Sequence, residues 1–215
     1  MIYILGAGAT AREILNIYKD LGNFEKVVGF IEENHKKESQ EIYCKKTMDA
    51  KVIDSLPQSS IFIGAMGSPL RKKWIEEIEH KGFKFDTVIH PSAIINNSIS
   101  IEEGCVIYPG VIFTCDTKIG KHSIINVAST ISHDCEIGNF VTICPGVNIA
   151  GNVKIKEGCW IGIGAKIINE VVIGSGSFIG AGSIVTKDIP DNFLAVGVPA
   201  KPVKKIDDSD WRKFI

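Results

Sequence analysis

Adjacent His133 and Asp134 are the strongest chemical pairing in the chain. An imidazole titrates near neutrality, and a neighbouring carboxylate can orient it and raise its basicity, which is how a general base is built. A second candidate is the turn Gly6-x-Gly8-x-x-Ala11, with Glu32 following 21 residues after Ala11. That spacing fits backbone N–H groups at a helix N-terminus holding a diphosphate, and an acid holding a ribose. NAD is one ligand of this kind and a nucleotide-linked sugar is another, since it also carries two phosphates and a ribose. The glycines could also serve only a tight strand-to-helix turn. His122 is a lesser candidate for the same chemistry as His133, because Ser123 follows it instead of an acid. His90 reads as interdomain structure, and His35 and His80 lie in polar surroundings as solvated side chains. Metal catalysis would need a three-histidine cluster, which this spacing does not offer.

These residues are positioned by two different kinds of element. From residue 93 the chain divides into sixteen hexads without a gap, and fourteen of their sixteen third positions are Ile, from Ile95 to Ile179. Phe113 and Val185 complete the series. This is the signature of a β-solenoid: each hexad is a short strand and a corner, and three hexads make one triangular coil. Residues 18 apart then stack at about 4.8 Å. The register puts His133 two residues after Ile131, at an outward corner, and stacks Gly151 beside it. A residue without a side chain there leaves room for a ligand, and its N–H could face a developing oxyanion. Cys105, Cys135 and Cys159 fall on the small inward position and read as packing; Cys44, Cys115 and Cys144 have no adjacent base.

The first ninety residues read as a β-α-β unit with a small parallel sheet. Strands are expected at 2–5, 27–31 and 61–67, helices at 9–21 and 68–82, and a short closing strand within 85–90. The segment 34–50 is polar and reads as a loop with a short strand near Ile42. After the solenoid, Pro190, Pro199 and Pro202 suggest a loop running back along the last coil, then a short helix over the solenoid end. The expected domains are 1–90, 91–188 and 189–215.

Composition narrows the function. Lys and Arg total 24 against 25 Asp and Glu, so a dedicated nucleic-acid or anionic-membrane binder is not expected. Six cysteines without a C-x-x-C pair, no basic leader and no long apolar run point to a cytoplasmic protein with reduced thiols. Of the 36 isoleucines, beside only 8% aromatics, fourteen are rungs of the ladder.

The glycine turn, the segment HPSA at 90–93, the hexads carrying NVAST-x-SHDC, and VGVPAK at 196–201 together resemble the hexapeptide-repeat sugar acyltransferases of the sialic-acid O-acetyltransferase type. The likeness is nearest to acetyl-CoA-dependent N-acetyltransferases of nucleotide-linked 4-amino-4,6-dideoxy sugars, as in the bacillosamine pathway. It implies a left-handed parallel β-helix after a Rossmann-like domain, and homotrimers with active sites between adjacent solenoids. Acetyl-CoA is then a co-substrate, a UDP-type amino sugar the acceptor, and no metal takes part. The resemblance assigns His133 and Asp134 to catalysis. Cofactor contacts fall on Asn126, Gly151, Ile163 and Ala181. The sugar nucleotide falls to Gly6, Ala7, Gly8, Thr10, Glu32 and Glu33, with Arg71 as a phosphate partner. Ile163 and Ala181 are 18 apart and form one column for an extended pantetheine arm. Relatives commonly carry Gly-His-Gly where this chain has Ala9-Thr10-Ala11, and some have a second His at Thr142; both departures bear on the sugar. O-acetylation of a sialic-acid-type sugar is the alternative within the class, and a nicotinamide-binding protein the alternative outside it.

Overall fold

The computed structural model describes residues 1–33 and 41–214. The loop expected at 34–40, and His35 within it, lie outside the described residues.

The N-terminal unit is a six-stranded sheet. Its strands are β1 (Ile2–Leu5), β2 (Val27–Glu32), β3 (Glu41–Ile42), β4 (Lys45–Asp49), β5 (Ile61–Gly64) and β6 (Lys84–Phe85). The order is β3-β4-β2-β1-β5-β6, and every pair is parallel except β3 with β4. β1 is buried throughout, as a central parallel strand must be. Helix α1 (Ala9–Asp20) buries Ala11, Ile14, Leu15, Ile17 and Tyr18; helix α2 (Arg71–His80) buries Arg71, Trp74, Ile75 and Ile78. Part of the expected polar loop is instead a hairpin. Tyr43 and Cys44 both have positive φ (49° and 64°), the geometry of a two-residue hairpin turn. The strand hides in the sequence because a lysine occupies an inward position: Lys45 is buried with its ammonium 4.2 Å over the Phe24 ring.

The expected closing strand divides in two. Lys84–Phe85 completes the first sheet, whereas Val88–Ile89 pairs with Val106–Ile107 in the solenoid. The change of sheet therefore falls at Asp86 and Thr87. Tyr18 on α1 donates to Asp86 at 2.8 Å, fixing that junction.

The solenoid is built as the hexads dictate, from three parallel sheets whose strands pair 18 residues apart. One carries Lys118–Ile119, Glu136–Ile137 and Lys154–Ile155; the second Ile112–Phe113, Thr130–Ile131 and Asn148–Ile149; the third Ile124–Ile125, Thr142–Ile143, Trp160–Ile161 and Phe178–Ile179. Ladder residues from Ile107 to Val185 are buried; Ile95 and Ile101, in the first coil, are half-buried. The small inward residues also have a polar task. Ser123, Ser129 and Ser177 donate to the carbonyls of Gly138, Cys144 and Pro190 at 2.7–3.0 Å. Cys105, Cys135 and Cys159 point their thiols at the equivalent carbonyls. Burial pushes the Cys105 thiol up to about 11 and Cys159 up to about 12, so neither is a nucleophile near neutrality.

The C-terminal segment departs from the expected loop. Phe193–Gly197 pairs in parallel with Phe178–Ile179 and antiparallel with Ala200–Lys205, extending the third sheet. Pro202 is tolerated because Ala200–Lys205 is an edge strand. Helix α3 (Asp208–Phe214) does not cap the solenoid end. Trp211 packs on Phe178 at 5.6 Å, and Phe178 stacks on Trp160 at 6.0 Å, so α3 lies along the outer side of the third sheet.

Candidate active site

His133 stands at the corner where the chain leaves the second sheet. Its side chain is 53% exposed, and its Nδ1 lies 2.8 Å from Asp134 Oδ2. Asp134 reaches this position through a positive φ of 56°. The carboxylate accepts the Nδ1–H, which fixes the tautomer and leaves Nε2 free of that proton, the state a general base needs.

Gly151 stacks beside His133, as the 18-residue register requires, but the space it leaves has a different occupant. A Cβ at Gly151 would stand 2.4 Å from His133 Cε1 and 2.5 Å from Nε2. The missing side chain makes room for the imidazole itself rather than for a ligand. Gly151→Ala is therefore expected to displace the ring and lower turnover about 100-fold, the scale of an ångström-sized misplacement. Thermal unfolding should be nearly unchanged, and steady-state kinetics beside a melting curve check both expectations.

The other residues assigned to the cofactor lie elsewhere. Asn126, Ile163 and Ala181 follow Ile125, Ile161 and Ile179 and so occupy the corner after the third sheet. The Gly182 N–H donates to the Ile163 carbonyl, which confirms their common column, and Ile163 is 61% exposed. That corner and the His133 corner are separated by the width of the second sheet. One chain does not bring them together: 151 and 163 differ by two hexads, not by a multiple of three.

The glycine turn sits at the carboxyl end of β1. Gly6 has φ +99° and donates to the Ile31 carbonyl at 2.7 Å; Gly8 is the exposed N-cap of α1. Ala7 and Thr10 are half-buried. Glu32 ends β2, and Glu33 follows it into solvent. The neighbouring parallel strands β2 and β5 end on either side, so the turn, both acids and Met66 share the crevice that open α/β sheets use for ligands. A cavity of about 320 Å³ opens there, lined by Glu33 and Arg71 and by Met66, Ser68, Leu70, Trp74 and Trp211. The last five were not expected from the sequence. Met66 and Ser68 could have been found as the residues just past β5; Trp211 comes from a distant helix and leaves no local signal.

Arg71 lines that cavity, with its guanidinium engaged by the protein itself. It is 2% exposed, and its two terminal nitrogens donate to the carbonyls of Gly67, His122 and Val141 and to Thr142 Oγ1, at 2.8–3.2 Å. Burial pushes its guanidinium down to about 9. Thr142 in turn donates to the Gly67 carbonyl at 2.6 Å. Arg71 and Thr142 thus bolt α2 to the solenoid, and the absence of a histidine at 142 bears on that joint. His122, the lesser candidate base, is 2% exposed and packed between Phe85 and Phe140. His90 does link the domains, through Asp20 on α1 at 3.2 Å, and His80 is exposed. No group of three or more His, Cys, Asp or Glu able to hold a metal occurs among the described residues, nor is any helix long and apolar enough to cross a membrane.

Residues 1–78 match the PglD N-terminal domain, and residues 152–187 match the bacterial transferase hexapeptide of six repeats. No curated protein matches the chain by sequence. Among solved structures, a histidine-to-asparagine variant of perosamine N-acetyltransferase from Caulobacter crescentus, in complex with CoA and GDP-perosamine, is 29% identical. Its TM-score is 0.88, with 94% of this chain and 96% of that one covered. The acetyltransferase domain of PglB from Neisseria gonorrhoeae, in complex with acetyl coenzyme A, is 28% identical with a TM-score of 0.86, covering 94% and 98%. WeeI from Acinetobacter baumannii is 27% identical with a TM-score of 0.87, covering 94% and 99%.

Proposed function

We propose that this chain is an acetyl-CoA-dependent acyltransferase that N-acetylates a nucleotide-linked amino sugar, the acceptor being the 4-amino group of a UDP-type 4-amino-4,6-dideoxy sugar. The observation that carries the reading is the exposed His133 with its Nδ1 held by Asp134 and its ring seated over Gly151. The likeness to sugar N-acetyltransferases solved with CoA, acetyl-CoA and a nucleotide-linked amino sugar supports the choice of co-substrate and acceptor.

A sugar amine is protonated in neutral water and attacks only once it loses that proton. That proton goes to water; His133 Nε2 then takes a second proton from the neutral amine as its nitrogen bonds to the thioester carbonyl carbon, and passes it to the departing CoA sulfur. The carbonyl electron pair moves onto oxygen, and the Gly151 amide, which has no hydrogen-bond partner among the described residues, faces that charge. Collapse breaks the C–S bond, and CoA leaves as a thiolate that takes up the proton from His133. No acyl-enzyme is required. The buried thiols, including Cys144 pushed up to about 12, are unsuited to one.

The separation of the two corners supports a homotrimer. A neighbouring copy would set its Asn126, Ile163 and Ala181 edge against the His133 edge, and a cyclic arrangement of three satisfies every edge. Gly6, Ala7, Gly8 and Thr10 would hold the diphosphate at the N-terminus of α1, with Glu32 and Glu33 on the ribose.

Thiol release from acetyl-CoA tests the reading. A panel of uridine-, guanosine- and thymidine-linked amino sugars should contain at least one that triggers release far above the rate with buffer alone. If every member is inert and only hydroxyl acceptors react, the protein is an O-acetyltransferase instead.

A further inference from the structure

The joint between α2 and the solenoid contains a titratable group that the proposed reaction does not use. His122 lies at a solenoid corner with its ring stacked on Phe140 (centroids 5.0 Å apart, planes 19°) and met edge-on by Phe85 of β6 (4.9 Å, 86°). Its Nε2 stands 3.1 Å from Glu79 Oε1, near the C-terminal end of α2. Its Nδ1 is buried with no hydrogen-bond partner. One coil below, Gly104 makes room for the ring: a Cβ there would stand 2.1 Å from Nδ1.

This geometry suits one protonation state. Nε2–H donates to the Glu79 carboxylate, and Nδ1 carries only a lone pair facing Gly104. A second proton on Nδ1 would create a buried N–H with no acceptor, beside a charge placed between two aromatic rings.

The surrounding charges divide. Glu79 on α2 favours the imidazolium. Arg71 on α2, whose guanidinium lies 2.8 Å from the His122 carbonyl, opposes it, as does neighbouring Lys121. Lys72 on α2 sits 5.7 Å over the Phe140 ring and is engaged by Glu157 and Glu76. Glu103, on the coil below, is occupied by the Phe85 N–H at 3.0 Å. Phe85 is uncharged. Burial, the largest influence, holds the His122 pKa below its ordinary value of 6.5.

We propose that His122 is a proton-sensitive latch: neutral, it helps hold α2 and β6 against the solenoid beside the Arg71 hydrogen bonds, and protonated at Nδ1 it weakens that joint. In the released state His122 meets water and titrates near 6.5. The group binds fewer protons docked than released, so the joint is at full strength above about pH 6.5 and weakens as pH falls. The opening equilibrium rises by up to about tenfold per pH unit, until the docked pKa is passed. Mild acidification would loosen α2 and β6 at this contact, while the Arg71 and Thr142 hydrogen bonds remain.

Hydrogen exchange of the α2 amides, corrected for intrinsic rates, tests this on the full chain between pH 5 and 7.5. Opening of α2 should be flat above pH 6.5 and increase below it, by up to about tenfold per unit. His122→Phe keeps an aromatic ring between Phe85 and Phe140 but cannot titrate, and should abolish the dependence. In the wild-type protein the His122 ring resonance should titrate below 6.5. Titration at or above 6.5, exchange of α2 that ignores pH, or an unchanged dependence in His122→Phe would each overturn the latch. None of these readouts depends on acyl transfer.

Discussion

Replacing His133 with alanine is expected to cut turnover by about 10²–10⁴-fold, the usual worth of general-base assistance. The side chain is exposed and contributes little to the core, so the variant should fold and melt like the wild type. Binding of CoA should persist, because the apolar Ile163 edge is untouched. Asp134→Asn should fall between the two. It preserves a hydrogen bond to Nδ1 but can hold the wrong tautomer, with Nε2 carrying the proton that a base must lack. Steady-state rates for the three proteins decide the point. Wild-type turnover in His133→Ala would remove the residue from the mechanism.

Arg71→Ala is expected to be the most destabilising substitution, by about 3 kcal/mol or more. Five hydrogen bonds converge where α2 meets the solenoid: four from the guanidinium and one from Thr142 to Gly67. Deleting the guanidinium takes the donor from the buried carbonyls of His122 and Val141. A chain of this size should then lose about 6–12 °C in melting temperature. Arg71→Met fills most of the volume with no donor and should recover part of the loss. Arg71→Lys keeps the charge but not the planar fork, so it should remain clearly destabilised. Equal melting temperatures for wild type and Arg71→Ala would show that the joint is held by apolar packing alone.

The contrast between His133 and Arg71 shows which parts of the molecule were legible in the sequence. Every ladder position meets the same environment every six residues, so the isoleucines announce the solenoid and its register places His133 outward beside Gly151. The interdomain joint repeats nothing. Arg71, His122 and Thr142 meet across 51–71 residues of chain, and each residue type read alone suggests a ligand contact or a surface site. The β4 strand was hidden for a related reason: its inward lysine is buried against Phe24, a contact that no alternation pattern records. The two corners of the candidate site were recoverable in principle. Counting hexads from Gly151 to Ile163 puts them on different edges, and under the proposed function a second copy would complete the site.

The central claim is that the acetyl group of acetyl-CoA ends on the amine of a nucleotide-linked sugar. It is tested most directly by incubating the protein with isotopically labelled acetyl-CoA and the active sugar nucleotide, then locating the label in the product by mass spectrometry and NMR. The account predicts one labelled acetyl group per CoA released, in an amide on the sugar nitrogen. Label found in an ester on a sugar hydroxyl, or retained on the protein, would contradict it.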